Sequence, residues 1–96
     1  MARIVVAERA RTDLGRLIET HNLPADTVPR VRAAIEPLAS FPLMGKRLTG
    51  RWHGFRVVLG PWSWMLIVYV HDVATDTIGV VAIHDARSAS SATSER

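Results

Sequence analysis

The sequence predicts a two-layer α+β domain: one strand, an antiparallel helix hairpin, then a three-stranded antiparallel meander. Three observations lead there. Apolar residues recur at helical spacing in two successive segments of the first half. Three β-rich runs, divided by turn residues, fill the second half. The middle run, Trp64-Met65-Leu66-Ile67-Val68-Tyr69-Val70, is apolar at every position and so suits a strand covered on both faces.

Residues 2–6 end in Ile4-Val5-Val6 and read as a short strand. Residues 8–21 place Ala10, Leu14, Leu17 and Ile18 on one helical face, with Arg9, Arg11, Arg16 and Glu19 elsewhere on the wheel. Asn22-Leu23-Pro24 stops this helix, because proline disfavours helical geometry in the residue before it. A second helix starts near Asp26, a capping residue, with Pro29 in the first turn. Val28, Val31, Ile35 and Leu38 form its apolar face, Pro37 distorts its last turn, and Phe41-Pro42 closes it. Residues 43–54, punctuated by Gly45, Gly50 and Gly54, read as a loop. Strands follow at 55–59, 64–70 and 77–83, the second of them central, with His71 in the turn after it. Alternation puts Arg56 on the face opposite Phe55. Residues 1–88 make a single domain, and the serine-rich residues 89–96 have nothing to bury and are expected disordered without a partner.

Charge is unevenly distributed. No acidic side chain occurs from residue 37 to residue 71, where Lys46, Arg47, Arg51 and Arg56 give +4 against +3 for the whole chain. A cationic surface of this kind points to a polyanion or an acidic protein. Eleven of the twelve basic residues are arginine, whose fork suits phosphate and carboxylate, although biased genome composition explains the excess as readily. The chain has no cysteine, which excludes disulfides and thiolate metal sites, and its histidines lack metal-ligand spacing, so neither metal nor cofactor is expected. Neither a signal peptide nor a membrane span is legible, giving an expectation of a cytoplasmic protein that contacts no membrane.

The candidates for chemistry lie at the end of the last strand. His84, with Asp85 and Arg87, can supply acid/base and phosphate-stabilising groups for metal-independent RNA cleavage, or can equally be a solvated strand end. Arg56, Arg51, Lys46 and Arg47 can form a phosphate-binding surface beside His84 if the register brings Arg56 and His84 to one face. His53 is a second candidate base in the same loop, and Trp62, beside Pro61, is a candidate exposed aromatic for a partner. Trp64 is expected in the core.

Pro37-Leu38, Phe41-Pro42, Gly45-Lys46-Arg47-Leu48, Gly54-Phe55-Arg56-Val57, Tyr69 and Ile83-His84-Asp85-Ala86-Arg87-Ser88, in this order, resemble the RelE/ParE superfamily of type II toxin–antitoxin toxins. The opening of the first helix, from Glu8 to Leu14, resembles that family too. The resemblance implies a growth-inhibiting toxin with the RelE/ParE two-layer fold, restrained by a cognate antitoxin in a complex that can be higher-order, and touching operator DNA only through that antitoxin. It implies one of two targets: mRNA in the ribosomal A site for RelE-like members, DNA gyrase for ParE-like ones. In the nuclease case Arg56 and Arg87 would grip the scissile phosphate and His84 would move a proton; Lys46, Arg47, Arg51, His53 and Trp62 would contribute to binding. The chain departs from the nuclease pattern at Leu66, where an arginine is usual, and at Ser88, Ser90 and Ser91, where a tyrosine is common. Leucine cannot donate to phosphate and serine offers no ring. Gyrase inhibition is therefore placed ahead of ribosome-dependent mRNA cleavage, and a third reading is an inactive relative that only binds its antitoxin.

Overall fold

In a computed structural model, which describes residues 1–87, strands β1 (Arg3–Val6), β2 (Lys46–Arg47), β3 (Arg56–Leu59), β4 (Met65–Asp72) and β5 (Thr77–Asp85) form one sheet. Its order is β1-β5-β4-β3-β2. The β3–β4–β5 meander is antiparallel, as expected, and β4 is central. Two features go beyond the expected meander: β1 joins the sheet in parallel beside β5, and Lys46–Arg47, read as loop, forms a short edge strand against β3. The tail at 89–96 lies outside the described residues.

Helix α1 (Glu8–His21) ends at Asn22, whose φ of 51° is left-handed, and the amide of Leu23 returns to the Ile18 carbonyl at 3.0 Å. Helix α2 (Thr27–Ile35) follows. Asp26 occupies the position before α2, but its side chain makes no capping bond; the Thr27 hydroxyl instead donates to the Pro24 carbonyl at 2.6 Å. Pro37 acts as expected: the helix tightens into a 3₁₀ turn, Glu36–Ala39, that carries the fully buried Leu38 inward. The two helices share one face of the sheet but do not close on each other; a cleft of about 670 Å³ separates them, lined by Leu14, Ile18, Val28 and Val31 among others.

Each face of the sheet has its own core. Beneath the helices, Met65, Ile67, Tyr69, Ile78, Val80 and Ile83 meet Ala10, Leu14, Val31, Ile35 and Leu38. On the far face, Leu66, Val68, Val57 and Ala82 are covered by Leu48, Trp52 and Phe55 from the 43–55 segment. This double cover accounts for the uninterrupted apolar run of β4. The ladder between β4 and β5 shifts at one point: Val68 pairs with Ala82, whereas Tyr69 pairs with Val80. Val81 is the extra residue of a β-bulge, so Val80 and Ala82 point to opposite faces although two positions apart. His71 corrects the expected turn assignment, since β4 runs on through it to Asp72, and its Nε2 lies 2.9 Å from Asp76.

Candidate functional site

The basic stretch begins with a loop fixed from below. Tyr69, with no exposed surface, donates its hydroxyl to the Pro42 carbonyl at 2.7 Å and accepts from the Gly45 amide at 2.9 Å. Arg56, its partner across the β3–β4 ladder, donates Nη1 to the carbonyls of Gly45 at 2.9 Å and Leu43 at 3.2 Å. Gly45 has no room for a side chain: a Cβ there would lie 2.7 Å from the Tyr69 ring and hydroxyl and 2.9 Å from the Val57 carbonyl. Burial dominates the Tyr69 phenol and pushes its pKa up; the Gly45 amide and the Arg56 charge oppose that shift. Arg56 therefore serves the backbone of the 41–45 loop in this geometry.

His84 lies on the other face. It pairs with Leu66, a far-face residue, whereas Arg56 pairs with Tyr69, a helix-face residue. Without the bulge, alternation from Ile78 through Val80 and Ala82 would have put His84 on the Arg56 face. Its ring instead packs edge-on against Trp52, centroids 5.5 Å apart, and Trp52 meets Phe55 similarly at 5.8 Å. Nδ1 of His84 and Nε1 of Trp52 are both buried without a hydrogen-bond partner among the described residues. Burial is the main force lowering the His84 pKa; the Asp13 charge opposes it, and Arg9 and Arg51 reinforce it, so the imidazole is neutral at pH 7. Asp13 also accepts the Ile83 amide at 3.1 Å, covering the edge of β5 beyond the end of β1.

Asp85 returns to the helix side. Its carboxylate takes Nε and Nη2 of Arg87, both at 3.0 Å, together with the Arg87 amide at 2.9 Å, and His21 Nε2 approaches to 3.2 Å. These bonds, the Arg87 side chain foremost, lower the Asp85 pKa to about 2. Above them rises a stack: His21 on Trp64 at 4.4 Å, Trp64 on Trp62 at 6.2 Å, Arg87 over Trp64 at 5.5 Å and Arg30 over Trp62 at 4.6 Å. Trp62 is thus half-buried within a ladder, and Trp64 packs just ahead of β4 at the margin of the core.

The sequence-predicted residues do not converge on one place. His84 and Arg51 are brought together on the far face, Arg87 lies on the stack side, and Arg56 is beneath the 41–45 loop. Lys46 and Arg47 are exposed on β2, three strands from β5, which at normal strand spacing is about 14 Å away. His53 is exposed beyond the 3₁₀ turn Gly50–Trp52. Sequence reasoning missed Arg9 and Asp13 on α1, and His21 and Arg30 in the stack. Arg9 was expected to face water with the other polar positions of its helix, and no local pattern singled out Asp13, His21 or Arg30. Among the described residues no cluster of potential metal ligands occurs, and no helix is long and apolar enough to cross a membrane.

No protein-family model matches the chain, and no curated protein matches its sequence. Solved structures do match its fold. A metal-bound toxin from Helicobacter pylori aligns with a TM-score of 0.65 and 20% identity over 88% of this chain and 94% of that one. A chain of the RelBE2 toxin–antitoxin complex from Mycobacterium tuberculosis aligns at 0.59 and 23% identity, covering 88% and 96%. One from the intact Escherichia coli RelBE toxin–antitoxin complex aligns at 0.59 and 14% identity, covering 92% and 100%. The fold is that of RelE-type toxins.

Proposed function

We propose that this chain is the toxin of a type II toxin–antitoxin pair, restrained by a cognate antitoxin, and that it arrests growth by binding DNA gyrase. The toxin role is supported by the fold shared with RelBE toxins along nearly the whole chain. The choice of target rests on one observation: the three groups a nuclease would need together are engaged apart. Arg56 is committed to the Leu43 and Gly45 carbonyls, His84 packs against Trp52 on the opposite face, and Arg87 is bound by Asp85. A cationic binding surface needs no such convergence, and Lys46, Arg47 and Arg51 are all exposed within the carboxylate-free stretch. In this reading the protein acts in the cytoplasm by occupying an acidic protein or protein–DNA surface, and operator DNA is reached only through the antitoxin.

Induced expression without antitoxin should stop growth, trigger an SOS response and leave mRNA intact, while the purified protein should inhibit supercoiling of relaxed plasmid by gyrase. Primer extension showing ribosome-linked cuts in mRNA, with supercoiling unaffected, would refute the gyrase reading. Those cuts are what the second reading, a ribosome-dependent endoribonuclease, requires. It draws on a specific feature: the neutral, half-buried His84 beside Arg51 and Arg9 offers a proton carrier near cations. Normal growth with abundant soluble protein would instead mark an inactive, antitoxin-binding relative.

A further inference from the structure

The 41–45 loop displays three large apolar side chains to solvent: Phe41 is 64% exposed, Leu43 62% and Met44 54%. Isolated exposed apolar residues are ordinary, but three within four positions form a patch that monomers seldom keep without use. The loop is also held firm. The Phe41 amide donates to the Pro37 carbonyl at 2.9 Å and the Met44 amide to the Phe41 carbonyl at 3.2 Å, while Tyr69 and Arg56 secure the carbonyls of Pro42, Leu43 and Gly45. The loop backbone is thus held by the sheet, while the three apolar side chains remain outward.

We infer that this loop is a preformed docking knuckle, whose Phe41, Leu43 and Met44 enter an apolar pocket bordered by carboxylates on the protein target. The inference rests on the toxin reading above and deepens it. Exposed Lys46 and Arg47 follow the knuckle directly, and no carboxylate lies in the sequence from residue 37 to residue 71, so the complementary rim is acidic. A rigid loop loses little freedom on docking, which favours its use as an anchor. A nucleic-acid occupant fits less well, because the knuckle carries one ring where successive bases need a stacking platform. A bilayer fits less well too, since even a full myristoyl chain gives only marginal membrane attachment and three side chains offer no more. An apolar knuckle favours a protein face over the RNA of a ribosomal site.

The test compares the wild type with the triple variant Phe41→Ser, Leu43→Ser, Met44→Ser and with Tyr69→Phe, each first checked for folding by circular dichroism. Because the three side chains are exposed, the triple variant should melt like the wild type. Its half-inhibitory concentration against gyrase supercoiling should rise at least about tenfold, the scale of a lost hot spot. Tyr69→Phe keeps the apolar side chains but removes two of the bonds that hold the loop, and should give an intermediate loss. A folded triple variant inhibiting gyrase as well as the wild type overturns the inference, as does a loss confined to antitoxin affinity or to co-sedimentation with phosphatidylserine vesicles. Wild type that fails to inhibit gyrase is a separate result, read from that arm alone, and removes the gyrase reading and the inference together.

Discussion

Tyr69 shows how one side chain can organise a surface from the inside. Its ring belongs to the core beneath the helices, while its hydroxyl serves two backbone groups of a loop more than twenty positions earlier. Tyr69→Phe strands the Gly45 amide and removes a donor from Pro42. Unfolding by urea should show a loss of about 1–3 kcal/mol, the cost of unsatisfied buried groups; an unchanged midpoint would mean the loop is not held this way. His84 carries a pH signature. Its native pKa lies below the unfolded value of about 6.5, so as pH falls through that value the unfolded chain takes up a proton that the native chain refuses. Stability attributable to His84 is thus full above that pH and lost as pH drops towards the native pKa. In His84→Gln, the difference in urea midpoint between pH 7.5 and pH 5.5 should shrink relative to wild type. Asp85 works in the carboxylate sense: with a native pKa near 2, its contribution is present above the unfolded value of about 3.9 and disappears on acidification through about 2. Asp85→Asn should flatten the acid limb of the stability profile there, and an identical limb would show that Arg87 and His21 do not favour the ionised carboxylate.

At the level of elements, the bulge in β5 decides which groups can meet. Val81 and Ala82 together oppose Val68, so the alternation reverses just before His84. Deleting Val81 should leave every other side chain of the strand on its present face, because the bulge is then replaced by regular pairing. The shortened protein is expected to fold with native circular dichroism, weakened by about 1–3 kcal/mol through the lost packing of one partly buried valine. Deleting Ile83 instead turns His84 over and exposes a core position, and should be far more damaging. Equal damage from the two deletions would contradict this account of the ladder. The same bulge marks where reading the sequence stops. The central position of β4 was legible because seven consecutive apolar residues demand cover on both faces. The end of α2 was legible because Pro37 cannot continue a helix. A bulge without glycine leaves no such mark: Val80-Val81-Ala82-Ile83 is compatible with either register, and only pairing with β4 selects one. Strand β2 was equally hidden, since its two residues are charged and owe their extended form to β3.

For the molecule as a whole, charge and shape divide the labour. The exposed cations at Lys46, Arg47 and Arg51 provide long-range attraction, so association with an acidic partner should be fast at low salt and slow sharply as screening increases. The double variant Lys46→Glu, Arg47→Glu should lower the association rate about tenfold or more in 50 mM salt and flatten its salt dependence. Stopped-flow or surface-based kinetics with the proposed partner, gyrase or an antitoxin, would register this; a change confined to dissociation would place both residues outside the steering field. The gathering of charge was visible in the sequence, because the absence of carboxylates is a property of one continuous segment. The distribution of its members was not. Asp13 reaching Ile83, Arg56 reaching Leu43 and Gly45, and Arg30 covering Trp62 all join segments far apart in the chain, with no local pattern to announce them.

The parallel ladder between β1 and β5 has a bearing on how the protein comes into being. Arg3 pairs with Thr77, which lies 74 positions further along the chain. At translation speeds of about 5–20 residues per second, the first strand waits roughly 4–15 s for its neighbour to be synthesised. During that interval its hydrogen-bonding edge stays unsatisfied, and the layer it completes has no template. A half-made copy therefore has no finished sheet, and whatever surface the completed fold presents exists only once β5 has been made.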